Sequence, residues 1–177
     1  MATSSVLKDL PHHYESSTFV PAAADNVFSY ADDQTRLSSH MNQSSFKMGG
    51  GRMRMDIDSG RGQLVGSHIR LSGRVFGVEL YVEEVVTERE PPRRKAWETI
   101  GRPNLLVIGN YRMGFEIIPQ PNGSQFRVFI DYALPKEALF RWLGFLFGKS
   151  YAKWCTRQMA EGVAAYFGAQ VDESSPT

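Results

Sequence analysis

From residue 52 to residue 134 the chain alternates between apolar and polar positions, the mark of strands with one buried and one wet face. Met53, Met55 and Ile57 alternate with Arg52, Arg54, Asp56 and Asp58, and Ile69, Leu71 and Val75 alternate with His68, Arg70, Ser72 and Arg74. Val78, Leu80, Val82 and Val86 alternate with Glu79, Tyr81, Glu83 and Thr87 until Pro91 and Pro92 end the run. Residues 93–101 predict a further strand with Trp97 and Thr99 on one face. Leu105, Val107, Tyr111, Met113, Phe115 and Ile117 share a face of one long strand. After a turn at 119–123, Phe126, Val128, Ile130, Tyr132 and Leu134 share a face of the last. Ahead of this block, residues 12–20 predict an edge strand with Tyr14, Ser16, Thr18 and Val20 on one side. Pro21 stops it, and helices are expected over 22–31 and about 33–40. Phe46 and Met48 hold the parity opposite to Met53, so Gly49, Gly50 and Gly51 at the change of phase predict a bulge or bend.

Beyond Pro135 the period changes to that of a helix, expected over 136–167 with a break near Gly144 or Gly148 left open. Leu139, Leu143, Leu146 and Phe147 form a stripe that Tyr151, Trp154, Cys155, Met159, Val163, Tyr166 and Phe167 continue. Segregated strands followed by a helix predict an α+β fold. About seven antiparallel strands must twist and curl, and the last helix is the element long enough to cover their concave face. The expected organisation is a flexible N-terminus over 1–11, one domain over 12–168 and a flexible tail over 169–177.

Strand parity turns one set of side chains toward that concave face. From the first strands of the block come Met53, Met55, Leu71 and Leu80; from the next, Trp97, Tyr111, Met113 and Phe115; from the last, Val128, Ile130 and Tyr132. Trp154 faces them from the helix. Methionine and aromatic walls suit a small-molecule pocket. The same residues would serve as a fully packed core, so parity alone leaves pocket and core open.

Charge narrows the partners. Twenty Lys and Arg against 19 Asp and Glu give a net charge of +1, which supplies no long-range attraction for nucleic acid. The longest apolar cluster, 138–147, is too short to span a membrane. Residues 1–8 lack a basic stretch followed by an apolar one, so no secretory signal is expected. The single cysteine, Cys155, excludes an intramolecular disulfide and suits a reducing compartment, so the cytoplasm is the expected location. Monomer and homodimer both remain open.

Candidate chemistry is sparse. His12 and His13 are adjacent on a strand and face opposite ways, and no His-Glu-x-x-His spacing occurs, so no metal site is expected. Cys155 lies on an apolar helix stripe, where a thiol is an inert packing group. Strict alternation would place Glu84 inside with Val82 and Val86. A buried unpaired carboxylate is costly, so a bulge near Val85 turning Glu84 to water is favoured, and no catalytic residue is assigned. Arg89, Arg93, Arg94 and Lys95 are expected to form a solvated strand end, with an anion patch as the alternative. Arg52, Arg54, Arg70 and Arg74 are expected to pair across strands with acids on the outer surface.

Three segments in this order carry a family resemblance. They are Val20-Pro21-Ala22-Ala23-Ala24-Asp25-Asn26-Val27-Phe28, residues 85–97 with Glu-Pro-Pro-Arg-Arg leading to Trp97, and residues 143–155 entering the last helix. Together, over about 14–167, they resemble the START-like, helix-grip superfamily, also called SRPBCC. Ser39-His40-Met41 departs from it, since relatives often place a Trp there. The resemblance implies a cavity between sheet and helix for an apolar or aromatic small molecule, with no cofactor. Binding or carriage of a hydrophobic small molecule is therefore the first expectation. A polyketide cyclase, aromatase or dehydratase using Glu84, Tyr111 or Tyr132 is a second. Lipid or quinone handling at a membrane surface, through Phe140, Trp142, Leu143, Phe145 and Phe147, is a third.

Overall fold

The computed structural model describes residues 9–39, 52–75 and 77–173. The elements are β1 (His12–Val20), α1 (Ala24–Ala31), α2 (Gln34–Leu37), β2 (Arg52–Ile57), β3 (His68–Val75), β4 (Val78–Glu90), β5 (Arg94–Asn104), β6 (Tyr111–Gln120), β7 (Gly123–Tyr132) and α3 (Ala138–Glu173). The strands form one seven-stranded antiparallel sheet in the order β1-β7-β6-β5-β4-β3-β2. Strands β2 to β7 follow one another as a meander. β1 pairs with β7 from His12 opposite Tyr132 to Val20 opposite Ser124. The first strand thus lies beside the last, and α1 and α2 carry the chain away from that edge. This is the α+β architecture the periodicity predicts, in the helix-grip form the resemblance implies.

Pro21 ends β1, and Ala23, in extended conformation, opens α1. α1 buries Ala24, Val27, Phe28 and Ala31. The Asp33 carboxylate caps α2 by accepting from the Thr35 amide at 3.0 Å. Between the helices sits Asp32, and the sheet holds it there. Lys95, fully buried on β5, donates from Nζ to the Asp32 carbonyl at 2.7 Å and lies 3.1 Å from its Oδ1. Arg89 of β4 meets Asp32 Oδ2 at 2.8 Å, and its guanidinium lies over the Phe28 ring. Burial lowers the Lys95 pKa and the Asp32 carboxylate opposes that shift. The solvated strand end expected of Lys95 and Arg89 is therefore corrected. Parity turns Lys95 inward with Trp97, and Asp32 is what makes a buried ammonium tolerable. The neighbouring cations are also paired, Arg93 with Glu90 and Arg94 with Glu88 and Glu116, so no anion patch forms there. Arg70 pairs with Glu83 at 3.0 Å and Arg74 with Glu79 at 2.7 Å on the outer surface. Exposed pairs of this kind contribute about 0–1 kcal/mol each.

Three expected boundaries move. Leu105 and Val107 are not strand: β5 ends at Asn104, β6 begins at Tyr111, and residues 105–110 cross the end of the sheet. The last helix is unbroken at Gly144 and Gly148. Both glycines mark where α3 passes over that crossing segment: a Cβ on Gly144 would stand 2.7 Å from the Val107 carbonyl oxygen, and one on Gly148 3.1 Å from it. α3 also continues to Glu173, past the expected end at residue 167. The bend expected at Gly49, Gly50 and Gly51, the parity of Phe46 and Met48, and the departure at His40 and Met41 lie outside the described residues.

The main core fills the space between sheet and helices, with Phe115, Phe126, Val128 and Ile130 from the strands and Ala152, Met159, Ala160 and Val163 from α3. At the α1 end it is fully packed. Phe28 meets Phe115 edge-on with centroids 5.7 Å apart, and Phe115 meets Phe126 at 5.3 Å. At the other end it is hollow.

Candidate ligand-binding site

A cavity of about 490 Å³ occupies the hollow end. Its sheet wall includes Met53, Leu71, Leu80, Val82, Trp97, Met113 and Ile130. Leu105, Leu106, Val107 and Ile108 form one rim, and α3 closes the roof with Phe147, Tyr151, Trp154, Cys155 and Met159. Gln34 of α2 and Ser38, the residue after that helix, reach the cavity as well. Phe147 is 54% exposed although it lines the cavity, and Leu105, Leu106 and Val107 are half-buried, so the cavity meets the surface where α3 begins.

Of the twelve residues expected at the pocket, eleven by strand parity and Trp154 from the helix, eight line the cavity: Met53, Leu71, Leu80, Trp97, Tyr111, Met113, Ile130 and Trp154. Met55, Phe115, Val128 and Tyr132 do not. Met55 lies on edge strand β2, half-buried against the core. Phe115 and Val128 point to the concave face but are under the part that α1 fills. The Tyr132 ring stacks on His12 with centroids 5.1 Å apart, and Gly148 covers it. Parity sets the face a side chain takes, while the covering element decides whether that face is hollow.

The main correction concerns Glu84. It is 3% exposed and lines the cavity. β4 does carry irregularities against β5, but they fall between Tyr81 and Glu83 and between Val86 and Glu88. Val82, Glu84 and Val86 therefore keep one parity, and all three are buried. Opposite Glu84 stands Thr99, whose Oγ1 accepts from the Tyr111 amide at 3.1 Å. That bond replaces a ladder bond where β5 and β6 part, and it sets Tyr111 beside the carboxyl. The Tyr111 hydroxyl donates to Glu84 Oε1. Oε2 is buried without a hydrogen-bond partner.

Burial pushes the Glu84 pKa up to about 7, against the Tyr111 hydroxyl, the Trp97 indole and the Lys95 charge, which all pull it down. Near neutral pH the carboxyl thus exists in both forms, which avoids the full cost of a buried charge. Burial, and then the neighbouring carboxylate, raise the Tyr111 pKa well above normal, so it stays a donor. Burial, with a smaller contribution from Glu84, pushes the Cys155 thiol up to about 12, which keeps it protonated and inert. Gln34 Oε1 is a second buried acceptor without a partner at the cavity wall. Nothing in the local pattern singles out Gln34 or Ser38. Tyr151, Cys155 and Met159 were legible as the i, i+4, i+8 ridge of the last helix. Among the described residues no group of three or more His, Cys, Asp and Glu side chains is placed to hold a metal ion. No helix of the described residues is long and apolar enough to cross a membrane.

A curved antiparallel sheet gripping a long helix over an apolar cavity defines the helix-grip class. The chain belongs to the family described as polyketide cyclase / dehydrase and lipid transport, whose model matches residues 11–168. Solved structures share the fold at low identity. A di-domain ARO/CYC protein, StfQ, from the steffimycin biosynthetic pathway superposes with a TM-score of 0.65 at 9% identity, over 90% of this chain and 52% of that one. A protein from Chromobacterium violaceum gives 0.60 at 14% identity, over 89% and 98%. Norcoclaurine synthase from Thalictrum flavum gives 0.57 at 17% identity, over 94% and 89%. No curated protein sequence matches the chain.

Proposed function

We propose that the chain binds an apolar, ring-containing small molecule bearing a hydroxyl, with the hydroxyl meeting Oε2 of Glu84. The observation that carries this reading is the unpartnered, buried Oε2 inside a mainly apolar wall. A buried polar atom without a partner costs about 1–3 kcal/mol, and a ligand hydroxyl would recover much of that. Met53, Met113 and Met159 give the wall adaptable surface.

The test compares naphthol with naphthalene as competitors of an environment-sensitive apolar dye. Naphthol should bind about tenfold more tightly, and Glu84→Leu should abolish the difference. Leu80→Trp, which fills the cavity near its rim, should weaken both. Equal affinities in the native protein would refute the role of Glu84, and dye binding indifferent to Leu80→Trp would refute the cavity as the site.

A second reading, favoured by the Glu84 pKa of about 7, is proton transfer of the cyclase or dehydratase kind. A carboxyl that titrates near the working pH serves as base or acid, with Tyr111 holding its position. On a poly-β-keto thioester, Glu84→Gln should then lower turnover at least about a hundredfold while leaving substrate binding in place. Unchanged turnover, or no turnover by the native protein, would leave binding alone.

A further inference from the structure

The first turns of α3 bury little of what they carry. Leu139 is 69% exposed, Trp142 62%, Phe145 77% and Leu146 46%. At 100° per residue these four fall on one side of the helix. Single exposed apolar side chains are ordinary, but four large ones within two turns form a patch that calls for a partner. The charge around the patch says which kind. Residues 138–160 contain Arg141, Lys149, Lys153 and Arg157 and no carboxylate, in a chain whose net charge is only +1. Lys149 and Lys153 continue the face of Trp142 and Leu146 at helical spacing, one and two turns further on. Both lysines and Arg141 are exposed. Arg157 already pairs with Glu161 at 2.6 Å.

We infer that this face docks on an anionic lipid bilayer, with Leu139, Trp142, Phe145 and Leu146 entering the headgroup boundary and Lys149, Lys153 and Arg141 meeting lipid phosphates. An aromatic side chain with a polar edge suits the interface. Long cationic side chains beside it reach the headgroups while their stems cover apolar surface. A protein partner of ordinary composition would leave this one-sided charge unmatched, whereas an anionic surface matches Arg141, Lys149 and Lys153 together. Since no helix of the described residues can span a bilayer, the contact is a surface one. Phe147 adjoins the patch and lines the cavity, so docking turns the cavity mouth to the lipid. Exchange of ligand with the bilayer through that mouth rests on the binding reading above; the docking itself does not.

The experiment is cosedimentation of the full chain with phosphatidylcholine vesicles, with and without about a third phosphatidylserine. Binding should require the anionic lipid and fall as salt is raised. Trp142→Ser with Phe145→Ser should lower partitioning at least about tenfold, and Lys149→Gln with Lys153→Gln roughly tenfold or more. None of the four side chains lines the cavity, so dye binding should persist in both variants. No cosedimentation, equal binding to neutral vesicles, or binding indifferent to Trp142→Ser with Phe145→Ser would overturn the inference. So would self-association that those substitutions abolish in a protein that ignores vesicles, which would assign the face to a second copy. Loss of dye binding in the native protein would instead count against the cavity reading and leave the docking result standing.

Discussion

The Tyr111 hydroxyl on β6 donates to the Glu84 carboxyl on β4 across the intervening strand. Thr99 of β5 stands between them, opposite Glu84 in register and bonded through Oγ1 to the Tyr111 amide. A larger residue at Thr99 would keep the two apart. The arrangement leaves one carboxyl oxygen satisfied and the other facing an apolar hollow, and several measurable consequences follow from that asymmetry.

The Glu84 pKa is raised from 4.5 to about 7 in the folded protein. Between these values the native state holds a proton that the unfolded chain has lost, so stability falls as pH rises through that window and is lowest above it. The shift corresponds to about 3 kcal/mol between pH 4 and pH 8. Glu84→Gln should remove that slope and leave the protein more stable than the native one at pH 8. Urea titrations of both proteins across this range measure it. Parallel stability curves would show that Glu84 titrates normally.

Cys155 should resist modification. Burial moves its pKa from 9.0 to about 12, which at neutral pH reduces the thiolate fraction about a thousandfold. Labelling by a thiol reagent should be at least about thirtyfold slower in native protein than in urea-unfolded protein, after allowance for the greater intrinsic nucleophilicity of a high-pKa thiolate. Rapid native labelling would mean that the roof of the cavity opens often, or that Cys155 is not where α3 places it.

The succession of elements along the chain and the covering helix were legible because period two and period three-and-a-half are written in the side chains themselves. Trp97, Tyr111 and Met113 could be placed on the concave face for the same reason. Phe115 and Val128 could not be excluded from it, because what excludes them is Phe28 on a distant helix. The Leu105–Val107 rim kept the parity of a strand and so resembled one. Glu84 was misjudged on energy, not on pattern: alternation pointed inward, but the cost assumed a full charge. Burial raises its pKa enough to let it hold a proton, and a hydroxyl two strands away was invisible. Lys95 hid in a basic run for a like reason, since its partner Asp32 lies 63 residues earlier in the chain.

Asp32 and Lys95 should prove strongly coupled. Lys95 is fully buried, and Asp32 holds it through both carbonyl and carboxylate. Asp32→Ala leaves an ammonium in the core beside Arg89, and should cost about 3–5 kcal/mol. Lys95→Met removes the buried cation but leaves Arg89 on Asp32, so it should cost less. The double variant should be more stable than the sum of the single effects predicts by at least about 1 kcal/mol. Additive costs in a thermal or urea cycle would mean that the pair is not a unit and that the α1–α2 corner is held by Phe28 packing alone.

Two glycines of α3 should respond to the same substitution with opposite sign. Alanine is favoured over glycine inside a helix by about 1 kcal/mol. At Gly162 an added Cβ meets nothing within 4 Å, so Gly162→Ala should stabilise the protein by about that amount. At Gly144 the new methyl would stand 2.7 Å from the Val107 carbonyl oxygen and 2.9 Å from Pro135 Cδ. The first is backbone and the second a rigid ring, so neither can swing aside, and overpacking of this kind costs about 1–3 kcal/mol. Gly144→Ala should therefore be net destabilising, and because Val107 belongs to the rim it should also change dye binding, which Gly162→Ala should not. Equal stabilisation by the two substitutions in chemical unfolding would show that α3 does not press on the 105–110 segment, and that the rim of the cavity is set by something else.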